Sequence, residues 1–286
     1  MKKVLIVGEG SFIGGGIQAW LQQYPKEYSI TTITSKLNLW SKVDFSRYDV
    51  VINVAGIAHI KVKPHMEKLF YKVNRDLAIN LAKKAKDSGV NQYIYMSSMN
   101  VFGDANDEIN KNTNPSPQNF YGDSKLQADI LLQEYNDDNF GVVSIRPPIV
   151  YGKGAKGNIA LLERIAKKTI IFPDYKNTKS MIYIDNLCEF IKLIIDYGDR
   201  GIFHPQNKEY ISTSELVKLY SKGIRKKIAF VKWFNPLIIL LVKKNSIFHK
   251  AFGNDFYAKE LSAYRDDRYC IYSTKESINI MYKNCQ

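Results

Sequence analysis

Cysteine is scarce in this chain, and the three present, Cys188, Cys270 and Cys285, are odd in number and widely spaced. That excludes a disulfide framework and a thiolate metal site, and it fits a reducing cytoplasm. Long apolar runs are missing as well. The most apolar late stretch, Pro236 to Val242, sits between Lys232 and Lys243-Lys244 and falls far short of the roughly 20 residues that a spanning helix needs. It predicts a helix packed in the C-terminal part, with contact to a membrane surface or a partner through 228–244 as the alternative. At the N-terminus Met1-Lys2-Lys3 is basic, but the apolar run that follows gives way to glycines from Gly8 onward, so it reads as a buried first strand rather than a secretion signal. No long basic tract and no zinc-finger spacing accompanies the excess of 41 Lys and Arg over 28 Asp and Glu. The formal charge of +13 therefore reads as a solvated basic surface, not a nucleic-acid site.

What is present is the composition of an ordinary globular protein: 45% apolar and 24% charged residues in 286, enough for one large domain with a smaller attachment. Apolar extended stretches at residues 3–7, 28–34, 49–54, 92–96 and 142–145 alternate with helical patterns at 17–24, 68–88 and 121–134. Near-continuous apolar strands between helices predict a parallel sheet covered on both faces. After Arg146-Pro147-Pro148 the rhythm weakens, while a strand-like 181–184 and a helical 186–197 are expected to return to the main sheet. The expected division is 1–152 plus about 181–205 as a dinucleotide-binding domain, and about 153–180 with 206–286 as a substrate-binding one.

Gly8, Gly10 and Gly14 follow the first strand and precede a helix. In that setting glycines let backbone amides approach a pyrophosphate, and the helix N-terminus favours its charge. An acid about 20 residues on would bind the ribose hydroxyls of NAD, yet the second strand ends in Thr34-Ser35-Lys36. Lys36 and the two hydroxyls are suited to a 2'-phosphate, so NADP(H) is favoured and NAD(H) is the alternative. Asp44 and Phe45, before the third strand, are placed near the adenine.

Tyr121 and Lys125 stand four residues apart, on one face of a helix. A lysine ammonium beside the phenol would lower its pKa from about 10 and make it a usable acid or base. A Ser97-Ser98 pair ends the fourth strand and can hold an oxygen that gains charge.

In combination these motifs resemble the extended short-chain dehydrogenase/reductase family, the epimerases, dehydratases and ketoreductases of nucleotide sugars. The resemblance rests on Gly8-Glu9-Gly10-Ser11-Phe12-Ile13-Gly14, Val54-Ala55-Gly56, Val73-Asn74, Ser97 to Gly103, Tyr121 to Lys125, and Arg146 to Gly152. One departure is Ser11, where the family usually has a glycine. The resemblance implies a Rossmann-type doubly wound α/β sheet with a smaller C-terminal substrate region. It implies cofactor contacts from Gly8, Gly10, Ser11, Phe12, Ile13, Gly14, Val54, Ala55, Gly56, Asn74, Tyr121, Lys125 and Pro148, and catalysis by Ser98, Tyr121 and Lys125. Substrate contacts fall to Ser98, Met99, Asn100, Asn158, Lys179 (where the family commonly has arginine) and Arg265. His59 reads as a packing or polar-loop residue. Family dehydratases carry Asp-Glu after the catalytic hydroxyl, and Met99-Asn100 cannot replace them. What remains is a 4-ketoreductase acting on a UDP-4-keto-6-deoxy-N-acetylhexosamine for bacterial surface polysaccharide, or a UDP-sugar 4-epimerase. The resemblance also implies a homodimer through the helices at 68–88 and 121–134.

Overall fold

A computed structural model describes residues 1–58, 63–103 and 107–283; His59 and Cys285 lie outside them. The chain opens with β1 (Lys2–Val7), α1 (Phe12–Leu21), β2 (Tyr28–Ile33) and β3 (Val50–Asn53). Next come α2 (Glu67–Phe70), α3 (Leu77–Asp87), β4 (Gln92–Met96), β5 (Glu108–Ile109), α4 (Phe120–Gln133) and β6 (Gly141–Ile145). Beyond Pro147-Pro148 follow β7 (Ile149–Tyr151), α5 (Asn158–Lys168), β8 (Ile171–Pro173), β9 (Met181–Tyr183), α6 (Ile184–Tyr197) and β10 (Gly201–Phe203).

Among the described residues the main sheet has six strands in the order β10-β6-β4-β3-β1-β2, every pair parallel. Alternation along β1 explains why its whole apolar run is buried. Val4 and Ile6 face one core with Ile17, Leu21, Leu187 and Ile191 of α1 and α6, whereas Leu5 and Val7 face the other with Leu81, Ala128 and Leu132 of α3 and α4. Each such side chain contributes about 1.5–3 kcal/mol through burial, so both helical layers are strongly bound to the sheet.

Two local expectations differ from the structure. Strand β9 does not join the main sheet; it pairs with β7, and β10 takes the edge beside β6. Pro147 and Pro148 have no N–H with which to continue a ladder, so the chain leaves the sheet there and β7 finds its own partner. The helix expected over 68–88 is interrupted by a π-helical turn at Tyr71–Asp76. Such wide turns re-aim a side chain, and here the one re-aimed is the fully buried Asn74.

The remaining elements are α7 (Thr213–Gly223), β11 (Ala229–Val231), α8 (Asn235–Lys244), α9 (Ser246–Phe252), β12 (Phe256–Tyr257), α10 (Lys259–Ser262) and α11 (Thr274–Tyr282). Parallel two-strand pairs, β8 with β11 and β5 with β12, tie this part together and to the first half. In α8 the expected packing is one-sided, for Ile238 is buried while Leu237, Ile239 and Leu240 are exposed.

Candidate active site

The chain places β2 on one side of β1 and β3 on the other, so the strand order reverses between β1 and β3. In open parallel sheets ligands bind beyond the carboxyl ends of the strands at such a reversal, and the glycine loop lies there. Gly8 and Gly10 take positive φ of 129° and 74°. A Cβ on Gly8 would stand 2.9 Å from the Ala55 nitrogen, and one on Gly14 would stand 2.6 Å from Ser11 Oγ and 3.0 Å from Val54 Cγ2. The glycines are thus required by close packing of the loop on the end of β3. Ser11 caps α1, its hydroxyl accepting the Gly14 N–H at 3.1 Å, which gives the departure from glycine a physical role. The first-turn amides of Phe12 and Ile13 belong to the group that a helix leaves without internal acceptors, and they fit a pyrophosphate.

Both Gly8 and Glu9 donate their N–H to the Ile33 carbonyl, which brings the end of β2 alongside the loop. Lys36 is exposed there, its N–H donating to Thr34 Oγ1 at 3.3 Å. Asp44 caps the next turn, accepting from Ser46 N and Oγ at 3.1 and 2.6 Å, and these bonds lower its pKa. The ring of Phe45 is fully buried in the core beside α3, so the expectation of a cofactor contact from that side chain is corrected: its surroundings are apolar neighbours and the Lys84 ammonium 4.9 Å above it.

Gly56, Asn74 and Lys125 converge. A Cβ on Gly56 would lie 3.1 Å from Asn74 Oδ1 and 3.2 Å from Lys125 Nζ. The π-turn lets Asn74 accept the Ile57 N–H at 2.8 Å and donate to Ser124 Oγ at 3.1 Å. Pro148 is buried where the chain leaves β6, and the Phe12 ring closes on Gly152 just beyond it.

Helix α4 starts at the cap Asn119, whose side chain accepts the Gly122 N–H at 3.0 Å, and this fixes Tyr121 and Lys125 in the first turns. The Tyr121 phenol is buried, which raises its pKa, and the nearby Ser98 hydroxyl opposes that rise. Ser98 Oγ accepts from the Asn100 side chain at 3.1 Å. Ser97 turns the other way, donating to the buried Asp129 at 2.8 Å. Lys125 Nζ donates to the Met96 carbonyl at 2.7 Å and lies 4.6 Å from the Tyr95 ring centre. Burial lowers its pKa to about 8, opposed by the Asp129 charge. The expected lysine-driven lowering of the Tyr121 pKa is therefore corrected: Lys125 is engaged with Met96, and burial has the larger effect on the phenol.

Beneath the trio Asp129, fully buried, accepts Arg146 Nε at 2.8 Å. His204, packed between Phe102 and Tyr257, has its pKa pushed down to about 3 by burial and by the Arg146 charge.

Met99 is buried, while Asn100 lines a cavity of about 150 Å³ with Ile149, Asn158, Lys179, His249, Lys250, Asn254 and Asp255. Asn100, Asn158 and Lys179 thus line one cavity. Ile149 lies within the Arg146 to Gly152 motif, but the contributions of His249, Lys250, Asn254 and Asp255 carried no motif, although Lys250 stands in a visibly basic stretch. Arg265 is not brought there. Its guanidinium pairs with Asp199 at 3.1 Å and stacks 3.5 Å over Tyr197, at the entry to β10 and so at the opposite end of the parallel strands. Its assignment as a substrate contact is corrected on that ground. A larger cavity of about 570 Å³, lined by Lys222 of α7, Tyr282 of α11 and Tyr272 just before α11, holds none of the trio.

No group of three or more His, Cys, Asp or Glu suited to a metal occurs among the described residues, and no described helix is long and apolar enough to cross a membrane. By fold, the chain is similar to dTDP-4-dehydrorhamnose reductase from Bacillus anthracis in complex with NADP, with a TM-score of 0.75 at 20% identity over the whole of both chains. By sequence it is similar to UDP-glucose 4-epimerase of Vibrio cholerae, 34% identical over 71% of this chain and 63% of that one. It is also similar to N-acetyl-alpha-D-glucosaminyl-diphospho-ditrans,octacis-undecaprenol 4-epimerase of Escherichia coli O157:H7, 30% identical over 68% of this chain and 60% of that one. The matches thus span somewhat less than two thirds of each curated relative. A sequence profile of the NAD dependent epimerase/dehydratase family matches residues 4–204, and with the glycine loop at the sheet reversal and the Ser98, Tyr121 and Lys125 cluster beyond it, the chain belongs to that family.

Proposed function

We propose that the protein carries out NAD(P)-dependent hydride chemistry at C4 of a sugar joined to a diphosphate carrier, and that it reduces a UDP-4-keto-6-deoxy-N-acetylhexosamine with NADPH in bacterial surface polysaccharide assembly. The observation that carries this reading is the placement of Tyr121, a buried phenol in the first turn of α4 near Ser98, whose pKa is raised by that burial. It stands loaded with the proton that a nascent C4 alkoxide requires. Lys125 would hold the ribose of a bound nicotinamide cofactor, which would supply hydride chemistry there. Ser98 holds the substrate oxygen, Tyr121 gives it the proton, and Lys125 positions the ribose. The acid-free Thr34-Ser35-Lys36 supports NADP(H), Lys36 meeting the 2'-phosphate. Lys179 and Asn158 are assigned to the substrate's diphosphate and sugar, in a substrate region made of about 153–180 and 206–286. We place the reaction in the cytoplasm, on a homodimer formed through the 68–88 and 121–134 helices, where Leu69 and Ile130 are exposed.

A second reading, 4-epimerisation with retained NAD, is favoured by the activities for which the two curated relatives are named. It uses the same three residues but starts with Tyr121 taking a proton. The experiment adds a UDP-4-keto-6-deoxy-N-acetylhexosamine to the protein with NADPH and follows the loss of NADPH absorbance. Stoichiometric oxidation supports reduction. Copurifying NAD with interconversion of UDP-N-acetylglucosamine and UDP-N-acetylgalactosamine, without net redox change, overturns it in favour of epimerisation.

A further inference from the structure

Residues 216–254 contain no Asp or Glu and nine Lys or Arg. Within this acid-free stretch the structure exposes a row of large apolar side chains. Trp233 is 70% exposed, Leu237 54%, Leu240 50% and Ile247 75%. In α8 the inner positions are the buried Ile238 and the half-buried Leu241 and Val242, whereas Pro236, Leu237, Ile239, Leu240, Lys243 and Lys244 face outward. A helix that is apolar on both sides is ordinarily buried all round, so the outer side of α8 lacks the cover its composition calls for. Ile170, whose carbonyl accepts the N–H of Ala229 at the start of β11, is likewise 76% exposed.

We propose that this surface, centred on Trp233, Leu237, Leu240 and Ile247, docks the protein on an anionic lipid bilayer. Charge complementarity selects that occupant: Lys232, Lys243 and Lys244 rim the apolar row, and no acid within the stretch would repel a negative headgroup layer. An aromatic at the edge of an apolar helix face, with lysines beside it, is the composition that lies in a membrane interface rather than across it. The helix is too short to span, which limits the contact to the interface. Helix α9 links this surface to the candidate active site, because His249 and Lys250 line the same cavity as Asn100. Docking would therefore set the mouth of that cavity near the headgroup layer. The inference concerns the surface and does not rest on which reaction the cleft performs.

The test uses the full chain and sedimentation with phosphatidylcholine vesicles, with and without phosphatidylglycerol. Binding is expected only with phosphatidylglycerol present, and it should weaken as salt is raised. Lys243→Ala with Lys244→Ala should weaken it roughly tenfold or more, since each lysine near an anionic surface contributes severalfold to the affinity. Leu237→Gln with Leu240→Gln should remove binding while leaving the cofactor-binding cleft and the circular dichroism spectrum as they are. Tryptophan fluorescence should shift to shorter wavelength on binding, and Trp233→Phe should abolish the shift. Absence of vesicle binding overturns the proposal, and so does binding that both double variants retain. Concentration-dependent dimerisation lost in Leu237→Gln with Leu240→Gln, without vesicle binding, overturns it in favour of an interface between two copies of the chain.

Discussion

Replacing Lys125 by methionine should abolish turnover and make the folded protein more stable at pH 7. The side chain is 5% exposed, and burial lowers its pKa from 10.5 to about 8. Below the folded pKa the ammonium is charged in both states, and burying it disfavours the folded one. At about 1.4 kcal/mol per pH unit the penalty is about 3 kcal/mol. It is fully present below pH 8 and fades as pH rises towards 10.5, because in that window the unfolded chain binds the proton that the folded chain has lost. Methionine fills similar volume without charge but forfeits the bond to the Met96 carbonyl, which has a net worth of about 2 kcal/mol because the donor is charged. The expected gain is therefore about 1 kcal/mol at neutral pH. Urea unfolding of both proteins at pH 7 and at pH 10 measures it, and the gap should shrink at the higher pH. A variant less stable than the parent at pH 7, or a gap that does not change with pH, would refute the account of Lys125 as a charge held in an apolar site at a cost in stability.

Tyr121→Phe should lose about a hundred to ten thousandfold in turnover with little change in urea midpoint, and steady-state assay beside unfolding separates the two effects. Asp129→Ala leaves the Arg146 charge buried alone and should cost about 3–5 kcal/mol; pairing it with Arg146→Met should recover much of that loss in the same unfolding assay. Gly14→Ala places a methyl carbon 2.6 Å from Ser11 Oγ and 3.0 Å from Val54, so dinucleotide affinity, read by calorimetry, should fall at least tenfold while the trio is untouched. Lys36→Glu should weaken NADPH relative to NADH, and an unchanged ratio of the two affinities would remove Lys36 from the 2'-phosphate site.

The strands and the glycine loop were legible in the sequence because each is local. Val4 to Val7 is apolar without interruption since helices cover both faces of β1, and Gly8 is glycine because Ala55 leaves no room for a Cβ. The π-turn at Tyr71–Asp76 was not legible, for its cause is the demand of the Ile57 N–H on Asn74, a contact 17 residues away that leaves the helical periodicity of 68–88 almost intact. The same holds for the proton chemistry. Tyr121 and Lys125 at helical spacing suggest an ammonium beside a phenol, yet the lysine turns instead to Met96, whose carbonyl lies at the open end of β4.

The cavity beside Asn100 was the least legible, because three parallel two-strand pairs bring its surroundings together from distant pieces of chain. Pairing of β12 with β5 sets residues 256–257 beside 108–109, and Asp255 donates its N–H to Thr178 at 2.9 Å. These contacts carry Asn254 and Asp255 to Lys179 and Asn100, although no repeat or spacing links the four in the sequence. Arg265 shows the same logic in reverse. It lies only ten residues beyond Asp255, but Tyr264 packs against Phe190 and Phe203 and holds it at the entry to β10. A positive charge in the C-terminal region therefore reaches the cleft only where a strand pair carries it there, which is the reason Lys250, on the helix that leads into β12, stands at the cavity and Arg265 does not.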